Sequence, residues 1–226
     1  MNKITKIVTV FLFLFYAYTN VHAQQLPPFY DEIQQFKKLD SAHFPPQNAI
    51  LFVGSSSFQK WHDVQLYFPN DTIINRGFGG SELTDAIRYA NDIIIPYHPR
   101  QIVIYSGEND LAYLDSITPE IVLSRFKKLF NLIRSSMPGV PVIYVSIKPS
   151  PSRQKLMPEM LTANTLIKQF LHSKKKTVFI DVYHKMLDEN GKPMQDIFLD
   201  DNLHMNAKGY HIWQKAIEPY LVEEKY

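Results

Sequence analysis

Five short apolar runs punctuate the chain: 49–54 (AILFVG), 72–75 (TIIN), 101–106 (QIVIYS), 141–147 (PVIYVSI) and 177–182 (TVFIDV). They are rich in β-branched residues and apolar on successive rather than alternate positions, which predicts strands covered on both faces. Between them the apolar period lengthens to that of a helix. The clearest case is 119–136, where Val122, Phe126, Leu129, Phe130 and Ile133 share one face. Thr118 can cap this helix, Pro119 suits its first position, and MPGVP (137–141) stops it. Ser81 is the expected cap of a second helix with Leu83, Ala86, Ile87, Ala90 and Ile94 on one side. A third is expected over 158–173, and a last one from Asn206, with Tyr210, Trp213, Ile217 and Tyr220 on one side.

Strands alternating with helices predict an α/β fold, a parallel sheet with helices on both faces. In such sheets, sites collect at the carboxyl ends of strands, near the point where the strand order reverses. The chain has 226 residues, 45% hydrophobic and 20% charged, enough for one domain with its own core.

The N-terminus follows another pattern. Lys3 and Lys6 precede IVTVFLFLFYAY (7–18), and VHA (21–23) sets small or medium residues where a signal peptidase reads. The apolar run is short for a bilayer span. Residues 1–23 are therefore expected to be a secretory signal, leaving 24–226 as a single domain without a stable membrane span. The expected location is exported, periplasmic or extracellular if the source is bacterial. Without Lys3 and Lys6, basic and acidic residues balance at 22 each. That balance gives no reason to expect nucleic acid as a partner. The chain has no cysteine, which excludes disulfides, thiolate catalysis and a lipid-modified N-terminal cysteine. The histidines show no metal-ligand spacing, so neither metal nor cofactor is expected.

Chemistry-bearing residues gather at the predicted strand ends. The first strand runs into GSSS (54–57), the second into NRGFGGSEL (75–83) and the third into SGENDL (106–111); DDNLHMNAKGY (200–210) precedes the last helix. GSSS is not a phosphate loop, since no Gly-Lys-Ser/Thr follows, and it is not a Gly-x-Ser-x-Gly elbow. Taken singly, these are turn and capping residues. Taken together, they supply what acyl transfer needs: a hydroxyl, N–H donors, an amide, and an Asp–His pair three residues apart.

In these four blocks the chain resembles the SGNH, or GDSL, hydrolase family. FVGSSSF is similar to the first block, NRGFGGS to the second, GEND to the third, and DNLHMNAKGY to the Asp-x-x-His block that closes the domain. The resemblance covers nearly the whole chain after residue 23. It implies a three-layer α/β/α sandwich, flavodoxin-like, around a central five-stranded parallel sheet.

The resemblance also implies roles. Ser56 would be the nucleophile, His204 the base and Asp201 its orienting acid. The oxyanion donors would be the N–H groups of Ser56 and Gly80 and the amide of Asn109. Ser55 stands where the family usually has Asp, and Ser57 where it often has Leu; Ser57 is then expected as a helix cap and Ser55 as a local hydrogen-bonder. Ser81 replaces a common Asp or Asn. Asp181, at the end of the fifth run, is a rival partner for His204. Lys148 and Arg153, in KPSPSR (148–153), are expected at the substrate mouth or in a rigid Pro-rich loop. The implied function is a secreted serine esterase acting on short acyl esters, on a small molecule or a polysaccharide, with O-acetyl carbohydrate among the substrates. Acyltransferase, lysophospholipase and thioesterase chemistry would use the same residues. A non-catalytic binding protein is the other class.

Overall fold

The computed structural model describes residues 26–223, so the expected signal lies outside the described residues. The chain divides into a short unit ending at Tyr30 and a compact unit from Asp31 onward. In the first, the Tyr30 N–H donates to the Pro27 carbonyl. The second holds the sheet and the candidate site.

All five predicted strands form: β1 (Ile50–Gly54), β2 (Ile73–Gly77), β3 (Gln101–Tyr105), β4 (Val142–Val145) and β5 (Thr177–Ile180). They make one sheet in the order β2-β1-β3-β4-β5, and every pairing is parallel. The 141–147 run is trimmed at its end: the Ser146 N–H still donates to the Ile180 carbonyl at 2.9 Å, but Ile147 turns away from the sheet. Ser146 Oγ accepts from the N–H groups of Val182 and Tyr183, and the Ile147 N–H donates to Asn164 Oδ1.

The helices are α1 (Tyr30–Ala42), α2 (Ser56–Gln59), α3 (Val64–Tyr67), α4 (Leu83–Arg88), α5 (Ala90–Ile93), α6 (Glu108–Tyr113), α7 (Pro119–Ser136), α8 (Met157–His172) and α9 (Ala207–Ile217). Because successive strand side chains point to opposite faces, each strand feeds two cores. Ile50, Phe52, Val103, Tyr105, Ile143 and Val145 share one core with Phe58, Trp61 and the α9 residues Trp213 and Ile217. The Trp213 ring stands edge-on to Tyr105, with centroids 4.7 Å apart. On the other face, Tyr144 meets Phe126 of α7 at 4.7 Å, and α7 packs against α4 and α8. The result is a three-layer α/β/α sandwich.

Three helix expectations need correction. α4 is capped by Glu82, not Ser81: Glu82 and Asp85 bond reciprocally to each other's backbone, while the Ser81 hydroxyl donates to the Phe78 carbonyl. The expected second helix does not run through to Ile94; it breaks at Tyr89 into α4 and α5 and gives way to a short turn holding Pro96, which has no N–H to continue it. Tyr220 lies past the end of α9, after Pro219, and is half exposed.

The chain steps from β1 to β2 on one side, then returns past β1 to β3. The strand order therefore reverses between β1 and β3, and the crevice at their carboxyl ends is where this architecture favours a site. Gly54 closes that end tightly: a Cβ there would lie 1.9 Å from the Tyr105 carbonyl oxygen. The Ser55 N–H donates to the same oxygen at 3.1 Å. Glycine thus lets the ends of β1 and β3 press together, so α2 and α6 begin side by side.

Candidate active site

Ser56 is the first residue of α2. The first N–H groups of a helix have no partner within it, and the Ser56 N–H donates to no acceptor among the described residues. Ser55 occupies the cap position with extended backbone, and its side chain makes no capping bond. Ser57 does not cap either. It is buried inside the turn, where its hydroxyl meets the Tyr105 phenol and its carbonyl accepts from Tyr210 at 2.9 Å. A serine caps only from the position before the first helical residue, and the helix starts two residues earlier than that role requires.

His204 sits in the loop before α9, with its ring largely enclosed. Its Nε2 lies 3.0 Å from Ser56 Oγ, and its Nδ1 lies 2.6 Å from Asp201 Oδ2. Asp201 also accepts the backbone N–H groups of Leu203 (3.0 Å) and His204 (2.9 Å) through Oδ1. Partial burial works against its charge, yet the His204 ring bond and these two N–H bonds bring its carboxyl down to about 2. An ionised Asp201 accepting from Nδ1 leaves Nε2 as the ring's acceptor, facing the Ser56 hydroxyl. Hydroxyl, imidazole and carboxylate therefore stand in line, as proton removal from the hydroxyl requires.

Asp181, the rival partner, bonds elsewhere. Its Oδ2 lies 2.7 Å from His184 Nδ1, and both side chains are exposed.

Two further predicted residues flank the crevice. Gly80 adopts φ +76°, in the left-handed region, and its N–H donates to no acceptor among the described residues. The Tyr113 hydroxyl donates to the Gly80 carbonyl at 3.0 Å, tying this loop to α6. Asn109 is buried on α6. Its Nδ2 donates to the Ser81 carbonyl at 3.0 Å, which leaves one amide hydrogen over, and its Oδ1 accepts from Arg153 Nη2 at 3.0 Å. The Ser81 hydroxyl bonds the Phe78 carbonyl at 2.9 Å and reaches the Gly54 carbonyl at 3.4 Å, and its own carbonyl helps hold Asn109.

The two cations of KPSPSR take different places. Lys148 does not line a mouth: it is fully buried, its ammonium 3.1 Å from Glu108. A buried ammonium needs such a partner. Arg153 reaches Glu108 at 3.1 Å and borders a cavity of about 560 Å³ that is also lined by Tyr113, Ser152, Gln154 and Lys155. Glu108, Tyr105 and Tyr113 are site neighbours that sequence reasoning missed. The adjacency of Glu108 to Asn109 was the one available signal. Among the described residues, no group of three or more His, Asp or Glu could hold a metal ion, and no helix is long and apolar enough to cross a membrane.

A hydroxyl, an imidazole and a carboxylate thus stand in line at the switch point of a parallel α/β sheet. Residues 50–212 match the model of the GDSL-like lipase/acylhydrolase family, and the chain belongs to that family. Solved structures share its fold. A Streptococcus pneumonia protein provisionally described as a platelet activating factor has a TM-score of 0.74 at 20% identity, covering 85% of this chain and 92% of its own. A GDSL-like lipase from Bacteroides thetaiotaomicron has a TM-score of 0.70 at 19% identity, covering 83% of this chain and 95% of its own. An acetylxylan esterase from Geobacillus stearothermophilus, solved as a catalytic mutant, has a TM-score of 0.62 at 14% identity, covering 79% and 96%. None of the curated proteins matches the chain in sequence.

Proposed function

We propose that the chain is an exported serine esterase that removes short acyl groups, with O-acetyl groups of carbohydrate as the substrate class. The observation that carries this reading is the 3.0 Å approach of His204 Nε2 to Ser56 Oγ, with Asp201 bonded behind the ring. Ser56 Oγ attacks the ester carbonyl as Nε2 takes its proton. The tetrahedral oxyanion is held by the N–H groups of Ser56 and Gly80 and by the free Asn109 amide hydrogen. His204 then returns the proton to the leaving alcohol, and the acyl-enzyme forms. Water enters, gives a proton to Nε2, and releases the acid with Ser56 restored. Asp201 stays ionised throughout and keeps the imidazole in the required tautomer.

The choice of substrate draws on two supports. The cavity bounded by Tyr113, Gln154 and Lys155 combines an aromatic face with hydrogen-bond donors, a chemistry suited to a hydroxylated ring. One relative of the same fold is an acetylxylan esterase. Export rests on residues 1–23, and the exported protein should begin at Gln24 on N-terminal sequencing. The test of function is acyl release from acetylated xylo-oligosaccharides and from chromogenic esters of increasing chain length. The expected result is turnover of the acetyl esters, falling as the chain lengthens. No turnover of any ester, or a preference for long chains, would overturn the reading.

A further inference from the structure

Between the candidate oxyanion site and the sheet lies a group of charges that the reaction above does not use. Glu108 and Lys148 are both buried, at 3% and 0% exposure. Glu108 accepts from the Tyr105 phenol, from Lys148 at 3.1 Å and from Arg153 Nη1 at 3.1 Å. Burial works against the Glu108 charge, but Lys148 and Arg153 hold its carboxyl below the usual range. Two cations thus surround one carboxylate. The surplus positive charge is not turned to solvent: Arg153 extends its second nitrogen to Asn109 Oδ1 at 3.0 Å.

We infer that Arg153 is a positioning residue of the oxyanion hole, acting through Asn109. This rests on the proposed role of Asn109 and goes beyond it. Two effects follow from the contact. A guanidinium only donates, so Asn109 must turn Oδ1 toward it. Nδ2 is then left for the Ser81 carbonyl and for the developing oxyanion. The cation also draws electron density from Oδ1, which makes the Nδ2 hydrogens stronger donors; hydrogen bonds in series reinforce one another in a buried setting. Glu108 fixes the guanidinium, and Lys148 offsets the Glu108 charge so that the carboxylate does not cancel the field at Asn109. The benefit arises when negative charge develops on the substrate oxygen, so it belongs to the transition state.

The competing role is substrate binding, because Arg153 also borders the cavity. A double-mutant cycle separates the two. kcat, KM and melting temperature are measured on a chromogenic acetyl ester for the wild type, Arg153→Gln, Arg153→Lys, Asn109→Ala and the two Arg153 variants combined with Asn109→Ala. The expected loss for Arg153→Gln is about tenfold in kcat, with KM changed by less than roughly twofold. Arg153→Lys should recover part of that loss. In the Asn109→Ala background, either Arg153 change should cost less than about twofold more, because its route to the oxyanion is gone. Losses that multiply in full in that background, or that fall on KM, would overturn the inference. If Arg153→Gln does not fold, the Arg153→Lys cycle gives the same decision. A wild type without esterase activity would instead refute the proposed function.

Discussion

Of the chain's three Asp-x-x-His stretches, two form turns that are locally nearly the same object: Asp181–His184 after β5 and Asp201–His204 before α9. In each, the histidine N–H donates to the aspartate Oδ1, at 3.1 Å and 2.9 Å, and Nδ1 lies 2.7 Å and 2.6 Å from Oδ2. Spacing alone does not do this: in Asp40-x-x-His43, at the end of α1, the carboxylate accepts from Arg76 and Tyr97, and the His43 N–H donates to the Leu39 carbonyl. What separates the two turns is the other ring nitrogen. His204 presents Nε2 to Ser56 and its side chain is 14% exposed, whereas the His184 side chain is 61% exposed. The lesson is that the stretch makes a dyad where the chain turns there, and the sheet topology decides whether the dyad meets a hydroxyl.

The sharpest way to break this comparison is to disable each aspartate in turn. Asp201→Asn should lower kcat by about 10⁴-fold, because the amide no longer selects the tautomer that leaves Nε2 as acceptor. Asp181→Asn should change kcat by less than about twofold, since nothing in the proposed reaction passes through His184. Steady-state kinetics on one acetyl ester decides it, and the reverse ranking would transfer the role to the first turn.

A smaller effect is expected at the oxyanion side. Asn109→Ala should cost roughly 10²–10³ in kcat with little change in KM. A lowered melting temperature with normal kcat would make Asn109 a structural residue of α6 only.

The pH dependence sharpens the same contrast. kcat/KM should fall on the acid side as a protonated imidazole loses the lone pair that takes the Ser56 proton. Asp201, depressed to about 2, stays ionised across that range, so this limb reports imidazole alone. A depressed carboxylate stabilises the fold above its unfolded value, near 3.9, and that contribution is lost as pH falls toward 2. Exposure of Asp201 makes this stability change small. Asp201→Asn should therefore flatten acid denaturation only slightly while abolishing most activity, as thermal melts across pH 2–5 would measure.

The sequence made the sheet legible because each strand is a short apolar run bounded by turn residues, and burial on both faces demands that composition. Ser56, Gly80 and Asn109 lie in short blocks at strand ends and Asp201 and His204 in a block before the last helix; all five could be named because these blocks resemble those of the family. The site's support was less legible. Ser57 and Ser81 read as caps, yet their hydroxyls face Tyr105 and the Phe78 carbonyl, partners set by tertiary packing or loop shape. Lys148 read as a residue of the substrate mouth or of a Pro-rich loop because nothing local shows that Glu108, 40 positions away, is buried beside it. Asp181 read as a rival because sequence order does not say which histidine a strand end will face.

The central claim is that the second turn, through His204, activates Ser56 and no other serine. Its most direct test is to label the protein with a fluorophosphonate and map the adduct by peptide mass spectrometry, alongside Ser56→Ala with its fold checked by circular dichroism. The account predicts one adduct per chain, on Ser56, and a folded Ser56→Ala protein that neither labels nor turns over ester. An adduct on Ser55, Ser57 or any other residue, or labelling and turnover that persist in Ser56→Ala, would contradict it.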